Sequence, residues 1–294
     1  MLDIKYYNEN LKNPPYPPYH IGKDLEDYFI EYYFNNKEKF DATGYIFLPI
    51  KWTAIYNLHN YLLNDLNKDI QKLDKTQKYF TVSQHDDAPY LKLPPNTLNF
   101  AAGGNAQDVI PIPLICSSIT EVFENKPKDI FCSFVGSVSP NIGGNNSLSH
   151  NIRMKMLEIL VNNDKYVLKP KHWEPNIKED RKDLFLDVTS RSKFTLCPRG
   201  YGATSFRMYE AMQLKSVPVY IYYNKPYFPY TKEIDWTKLC VSLDVKDMQN
   251  LDNILNSIST EKYTHMINYA QEVYPHYFTL ETTCEHIFKF LNNK

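Results

Sequence analysis

Residues 194–221 read FTLCPRGYGATSFRMYEAMQLKSVPVYI, and they are the most informative part of the chain. A hydrophobic strand enters a loop that contains Gly200 and Gly202, and a helix follows at once, ahead of a second hydrophobic strand. Glycine lets backbone N–H groups approach a ligand closely, and the N-terminus of a helix favours a negative charge. The stretch therefore predicts a strand, loop and helix that together bind a phosphate.

Three charged side chains belong to this loop and helix. Arg199 and Arg207 carry guanidinium groups, which bind phosphate oxygens in pairs. Glu210 lies three residues after Arg207, so it either forms an ion pair along the helix or accepts hydrogen bonds from two ribose hydroxyls. The loop matches neither the phosphate loop of nucleotide hydrolases nor the dinucleotide fingerprint, which favours a nucleotide that is bound for transfer.

Strands and helices alternate on both sides of this stretch. Such alternation predicts parallel sheets with the ligand site at the carboxyl ends of the strands. A charged linker at 124–129 divides the chain into two expected α/β domains, residues 1–128 and 129–294, and the last helix could pack back on the first domain. The pattern predicts strands at 45–50, 78–84, 97–101, 130–135, 166–168, 193–197 and 217–222, and helices at 25–34, 59–73, 149–162, 179–191, 245–258, 260–273 and 280–291.

Composition excludes several classes of protein. The 294 residues are 43% hydrophobic and 23% charged, as in a globular protein, and a net charge of −1 without a long basic run excludes general nucleic-acid binding. No apolar stretch approaches the roughly 20 residues of a membrane span. Five widely spaced cysteines suit a reduced protein. We therefore expect a cytoplasmic protein with no membrane span and no nucleic-acid partner.

Glycine is scarce and clustered. Only nine glycines occur in the chain, and seven of them lie between residues 103 and 202. Because glycine is the residue that lets backbone lie against a ligand, the clustering is a first indication of a binding site. The clustered glycines are Gly103, Gly104, Gly136, Gly143, Gly144, Gly200 and Gly202.

The stretch at 194–221 resembles the exostosin-like glycosyltransferases of family 47. The pattern of that family runs roughly F-x-L-x-P-R-G, a short loop, S-x-R-x-x-E-A, and a strand with P-V. Residues 233–236, EIDW, and residues 134–136, FVG, followed by Arg153, are similar to two further segments of the family. Lys215 departs from the pattern, because the family commonly has glycine or another small residue there.

The resemblance implies the GT-B architecture, in which two Rossmann-like domains face each other across a cleft. It implies a compact member of the family, of the kind found in large DNA viruses or bacteria. Such a protein would act in the cytoplasm, which for a viral protein is the cytoplasm of the host cell. Its reaction would move a sugar from a UDP-sugar, with inversion, to a hydroxyl of an oligosaccharide or glycoprotein glycan. UDP-xylose is the favoured donor, and arginines and a helix dipole would replace a metal ion, so no cofactor is expected. A glycan-binding protein of the same fold without turnover is the alternative.

The resemblance also implies a role for each donor-site residue. Glu210 would bind the ribose, and Arg199 and Arg153 the diphosphate, although Arg153 is equally placed to be a surface residue. Either Thr204 or Ser205 could serve only as the cap of the helix. The expected donor-binding residues are Gly136, Arg153, Arg199, Gly200, Tyr201, Gly202, Thr204, Ser205, Arg207 and Glu210.

Inverting transfer needs a base that takes the proton of the acceptor hydroxyl. His85-Asp86, at the end of a hydrophobic strand, is similar to a pair found in many plant members. Asp86 is the preferred base, with Asp87 and His85 close behind. Two other interpretations stay open: Asp86 caps a turn, or Asp86 and Asp87 bind a metal ion.

Overall fold

The computed structural model describes residues 2–13, 24–115, 119, 126–138, 148–172 and 179–294. The chain forms two compact units: Met1–Ser117 together with Tyr277–Lys294, and Ser118–His276. The domain boundary expected between residues 128 and 129 lies further along the chain than this division. The loop glycines Gly143 and Gly144 and part of the linker at 124–129 fall outside the described residues.

The first unit is built on a four-stranded parallel sheet in the order β1-β2-β3-β4. β4 was not predicted, because two residues, one of them Pro111, are too few to show a periodicity. The strands and helices of this unit are β1 (Ile46–Phe47), β2 (Tyr79–Ser83), β3 (Thr97–Ala101), β4 (Ile110–Pro111), α1 (Leu25–Asn35), α2 (Lys37–Asp41), α3 (Trp52–Asn57), α4 (Leu63–Gln71) and α10 (Leu280–Asn292).

Aromatic side chains fill the core of the first unit and join α10 to it. The Phe80 ring of β2 stacks on Phe40 and Phe47, at centroid distances of 6.0 and 4.9 Å. From α10, Phe288 meets Phe40 at 5.4 Å and Phe290 meets Phe100 at 5.5 Å. The C-terminal helix thereby buries its apolar face against a sheet formed early in the sequence.

The second unit contains a five-stranded parallel sheet in the order β6-β5-β7-β8-β9. The strand order changes direction between β5 and β7, and ligands of open parallel sheets bind outside the carboxyl ends at such a point. The elements of this unit are β5 (Ile130–Ser137), β6 (Tyr166–Lys171), β7 (Ser192–Pro198), β8 (Val217–Tyr222), β9 (Val241–Asp244), α5 (Leu148–Leu160), α6 (Glu179–Arg191), α7 (Phe206–Gln213), α8 (Leu251–Asn256) and α9 (Thr260–Tyr277).

The predicted α/β fold class is confirmed, since each unit combines a parallel sheet with α-helices. The face-to-face placement of two domains across a cleft stays a prediction. Within the described ranges, no helix has both the length and the apolar character needed to cross a membrane.

Candidate functional site

The candidate donor site lies at the carboxyl ends of β5 and β7, where the strand order of the second unit changes direction. The two strands run parallel, with Cys132 opposite Phe194 and Ser133 opposite Thr195. β5 ends at Gly136 and Ser137, and β7 passes into the loop that begins at Arg199. The predicted loop therefore lies where the topology of the sheet provides a ligand site.

The loop after β7 forms a tight turn that leads directly into α7. The Arg199 N–H donates to the Ile221 carbonyl at 3.0 Å, and the Gly200 N–H donates to the Thr204 carbonyl at 3.0 Å. The Ser205 side chain accepts from the Arg207 N–H at 3.3 Å and caps the helix. Of the two residues considered for the cap, Thr204 and Ser205, Ser205 is the one that caps α7.

Arg153 and Arg199 connect the two strand ends. The Arg153 Nη1 donates to the Ser137 carbonyl at 2.6 Å, and its Nε donates to the Arg199 carbonyl at 3.4 Å. The Arg199 Nη2 donates to the Tyr201 carbonyl at 2.9 Å. A Cβ built on Gly200 would lie 3.9 Å from Arg153 Nη2. The side chain of Arg153 thus reaches the strand ends instead of extending into solvent.

Arg207 brings a third guanidinium to the same place. Its Cζ lies 5.6 Å from the ring centroid of Phe134 and 5.0 Å from that of Phe185. A Cβ on Gly136 would lie only 2.5 Å from Arg207 Nη1, so the guanidinium fits because residue 136 has no side chain. Among the described residues, no hydrogen-bond partner faces the buried Arg207 Nε or the buried Thr204 Oγ1.

Glu210 is buried one helical turn after Arg207, with 1% of its surface exposed. Both residues act on the thiol of Cys197 near the end of β7. Burial raises the pKa of Cys197 to about 12, Arg207 opposes that rise, and Glu210 adds to it.

Tyr220 supports the loop from the neighbouring strand, β8, and was not predicted as a site residue. Its buried hydroxyl donates to the Ala203 carbonyl at 2.5 Å and accepts from the Tyr227 N–H at 3.3 Å. A tyrosine in a hydrophobic strand has the pattern of a core residue. Only the hydrogen bond to the loop shows its second role.

In the first unit, His85, Asp86 and Asp87 form a turn directly after β2. The Asp87 N–H donates to His85 Nδ1 at 3.2 Å, and the Asp87 carboxylate accepts from the Tyr90 hydroxyl and, at 2.8 Å, from Asn105 Nδ2. Burial lowers the pKa of His85, although the charge of Asp87 opposes the shift. These contacts give His85 and Asp87 structural roles in the turn.

Gly103 holds the same turn against the end of β3. A Cβ on Gly103 would lie 2.2 Å from the Cα of Asp86, so no other residue fits there. The backbone of Asn105 also donates to the Asp86 carbonyl at 3.0 Å. Within the described residues, no group of three or more histidine, cysteine, aspartate or glutamate side chains is arranged to hold a metal ion.

Glu26 of α1 holds the backbone that leads into this turn, and no sequence pattern indicated this role. Its buried carboxylate accepts from the Gln84 N–H at 2.7 Å and from the Thr53 N–H and hydroxyl, each at 2.9 Å. Burial, assisted by the neighbouring charge of Asp24, raises the pKa of Glu26 to about 8 against these hydrogen bonds.

Residues 105–258 of the chain match the Exostosin GT47 domain. This match covers more than half of the chain. The chain belongs to the exostosin GT47 family. The matched range includes every expected donor-binding residue, whereas the turn at 85–87 precedes it.

Curated relatives of this exostosin-family chain match it over a limited length. A protein named as a probable glycosyltransferase of Arabidopsis thaliana is 34% identical over 114 residues, which are 36% of this chain and 22% of that protein. Exostosin-1 of Drosophila melanogaster is 30% identical over 105 residues, which are 36% of this chain and 14% of that protein. The matches thus span about a fifth or less of the length of these relatives.

Solved structures resemble the exostosin-family chain more distantly. TarM shares 10% identity at a TM-score of 0.41, with 79% of this chain and 57% of that chain covered. The pneumococcal O-GlcNAc transferase GtfA, solved with UDP and GlcNAc, shares 12% identity at a TM-score of 0.40, with 80% and 47% covered. Likeness at this level carries no argument about the ligand or the activity of this chain.

Proposed function

We propose that this chain is a glycosyltransferase that binds a UDP-sugar at the carboxyl ends of β5 and β7. The observation that carries the proposal is the convergence of Arg153, Arg199 and Arg207 around Gly136 and Gly200. Three guanidinium groups at a change of strand order suit a diphosphate, and membership of the exostosin GT47 family supports sugar transfer.

The donor would be held by charge and by the helix. Arg153 and Arg199 bind the diphosphate, and Arg207 offers its buried Nε, whose hydrogen bond is not made by the described residues. The N-terminus of α7 adds the positive end of its dipole, and Glu210 accepts from the ribose hydroxyls. As UDP leaves, these positive groups stabilise its developing charge, so transfer needs no metal ion.

Among UDP-sugars, we propose UDP-xylose as the first donor to test. A relative of 34% identity is named as a probable beta-1,4-xylosyltransferase of Arabidopsis thaliana, and one of 33% as a probable glucuronosyltransferase of rice. UDP-xylose and UDP-glucuronate therefore both belong in a screen of donors, because these two sugars differ by one carboxylate group. The acceptor is a hydroxyl of an oligosaccharide or glycoprotein glycan.

Titration calorimetry with UDP tests the donor site. Wild type should bind UDP, and both Glu210→Ala and Arg207→Lys should weaken binding about tenfold or more. Each variant removes charge-assisted hydrogen bonds of roughly 1.5–3 kcal/mol, and 1.4 kcal/mol equals a factor of ten. A lysine ammonium cannot reproduce the planar fork that lies close to the rings of Phe134 and Phe185.

Matched variants exist on the same unit, away from the strand ends. Arg191→Lys changes an arginine that pairs with Asp129, and Glu158→Ala removes an exposed carboxylate of α5. Neither should change UDP affinity. The donor site would be refuted if wild type did not bind UDP, or if each variant and its control lost the same affinity.

We further propose Asp86 as the base that takes the acceptor proton during inversion. Asp86→Asn removes the basic oxygen and keeps the size of the side chain. Transfer from UDP-xylose should fall at least about a hundredfold, in line with the usual effect of a general base. UDP affinity should stay at the wild-type value. Transfer that persists in Asp86→Asn would assign the base to another residue.

A further inference from the structure

An aromatic cluster surrounds the His85–Asp87 turn in the first unit. The Tyr56 ring lies 5.0 Å from His85 and 4.7 Å from Tyr90, centroid to centroid. Tyr56 stacks in turn on the buried Trp52 at 5.8 Å. Tyr90 forms the outer edge of the cluster, with 58% of its surface exposed.

The Tyr90 ring is held in place at both ends despite this exposure. Its backbone N–H donates to the Tyr56 hydroxyl at 2.8 Å. Its own hydroxyl donates to the Asp87 carboxylate, which Asn105 also holds. A ring fixed in this way loses little conformational entropy when a ligand covers it, so it is organised for binding before the ligand arrives.

The groups around the ring indicate the chemistry of the ligand. An aromatic face packs against the C–H side of a sugar ring, and carboxylates beside it accept hydrogen bonds from hydroxyls. Asp86 and Asp87 lie within the same turn, so the surface carries negative charge that disfavours phosphates and other anions. A neutral, hydroxyl-rich ring is the ligand that fits both features.

We propose that Tyr90, supported by Tyr56 and Asp87, is a stacking platform for a pyranose ring of the acceptor glycan. That the bound sugar is an acceptor rests on the proposed function, whereas the binding of the sugar does not. The platform gives the first unit a carbohydrate site beside the proposed base Asp86.

Saturation-transfer NMR on the full chain tests the platform with three probes: the methyl β-glycosides of xylose, galactose and glucose. Wild type should transfer saturation to the ring C–H protons of at least one probe. Tyr90→Phe keeps the ring but loses the hydrogen bond to Asp87, so it should bind more weakly than wild type and more tightly than Tyr90→Ala. Tyr90→Ala removes the ring and should weaken binding about three- to tenfold.

Tyr61→Ala is the matched control, because Tyr61 is 71% exposed on the same unit and outside the cluster. This variant should bind the probes as wild type does. The platform is refuted if none of the probes binds to wild type, if Tyr90→Ala binds as wild type does, or if Tyr61→Ala loses as much. Loss in Tyr90→Phe equal to that in Tyr90→Ala would also refute it, since the ring would then not be the binding surface.

UDP calorimetry on the same variants separates this inference from the proposed function. UDP binding that is unchanged in Tyr90→Ala shows that the second unit is intact, and a thermal unfolding curve like that of wild type shows that the first unit is folded, so any loss of glycoside binding then belongs to the sugar platform. Glycoside binding by a wild-type chain that fails to bind UDP would support the platform and refute the donor site.

Discussion

Arg207 and Gly136 show how one residue depends on another at the donor site. The guanidinium lies close to the rings of Phe134 and Phe185, and its Nη1 occupies the space that a side chain at residue 136 would need. Glycine at residue 136 therefore leaves room for the arginine, and a side chain there would force the end of Arg207 to move. The same reasoning joins Gly103 to Asp86 in the first unit.

Glu26 makes the stability of the protein depend on pH. Its pKa rises from an ordinary 4.5 to about 8 on folding, so between these values the folded state holds a proton that the unfolded state has lost. Stability therefore decreases as pH rises through that range. Asp24 acts in the same direction up to about pH 6, and the lowered pKa of His85 acts oppositely below its ordinary 6.5.

Thermal unfolding between about pH 6.5 and pH 8 isolates the contribution of Glu26. The wild-type midpoint should fall across this range, and Glu26→Gln, which cannot titrate, should show a smaller fall. Glu38→Gln changes an exposed glutamate of the same unit and should keep the wild-type slope. Equal slopes in wild type and Glu26→Gln would contradict the assignment, whatever the absolute stability of the variant.

Among the helices and strands, the sequence pattern predicts those whose formation depends on residues within the element itself. The spans of β3 and α6 agree with the prediction, because the spacing of apolar residues that indicates each element lies in its own stretch of sequence and the residues that end the element lie directly beside it. The helix predicted at 245–258 instead begins as a 3-10 turn, Val245–Asn250, and becomes α-helical only at Leu251. β4 is defined by its pairing with β3, which lies outside the segment.

The residues of the candidate sites also fall into two groups, those indicated by a local sequence pattern and those defined by contacts far along the chain. The donor loop could be predicted because its glycines, arginines and helix start are contiguous. Tyr220 and Glu26 could not, because each acts through a hydrogen bond to a residue far along the chain, Ala203 and Gln84 respectively. Hydrophobic periodicity contains no information on such contacts.

The end of α7 carries backbone strain at the one position that departs from the family pattern. Lys215, where the family commonly has glycine or another small residue, has a φ of +53°. It follows the helix cap, where the Ser216 N–H reaches back to the Ala211 carbonyl at 2.9 Å. This left-handed geometry suits glycine, because a Cβ there meets the following carbonyl oxygen.

Lys215→Gly should therefore raise the free energy of unfolding by about 1 kcal/mol. Denaturant unfolding measures the change. Lys215→Ala is the control, because it removes the same charge, which lies near Lys128, but keeps the Cβ. Stabilisation by alanine equal to that by glycine would show that charge, and not backbone geometry, limits this position.

In the whole molecule, the C-terminal segment of the chain belongs to the same unit as the N-terminal segment. Tyr277–Lys294 belongs to the first unit, so the second unit is an insertion between parts of the first. α10 begins at a capping box formed by Thr279 and Thr282 and places Phe290 against Phe100 of β3. The stability of the first unit thus depends on the last residues of the chain, whereas all proposed donor-binding residues lie in the second.

Phe290→Ala should lower the stability of the first unit without changing UDP binding by the second. Loss of the contact with Phe100 should lower the free energy of unfolding by roughly 1–3 kcal/mol, less than for a fully buried phenylalanine. Lys289→Ala, at the exposed neighbouring position of α10, should stay within about 0.5 kcal/mol of wild type. UDP affinity should be unchanged in both variants below their unfolding temperatures, because the arginines, Glu210 and α7 are held by the second sheet. Weaker UDP binding in folded Phe290→Ala would mean that the donor site depends on the first unit as well.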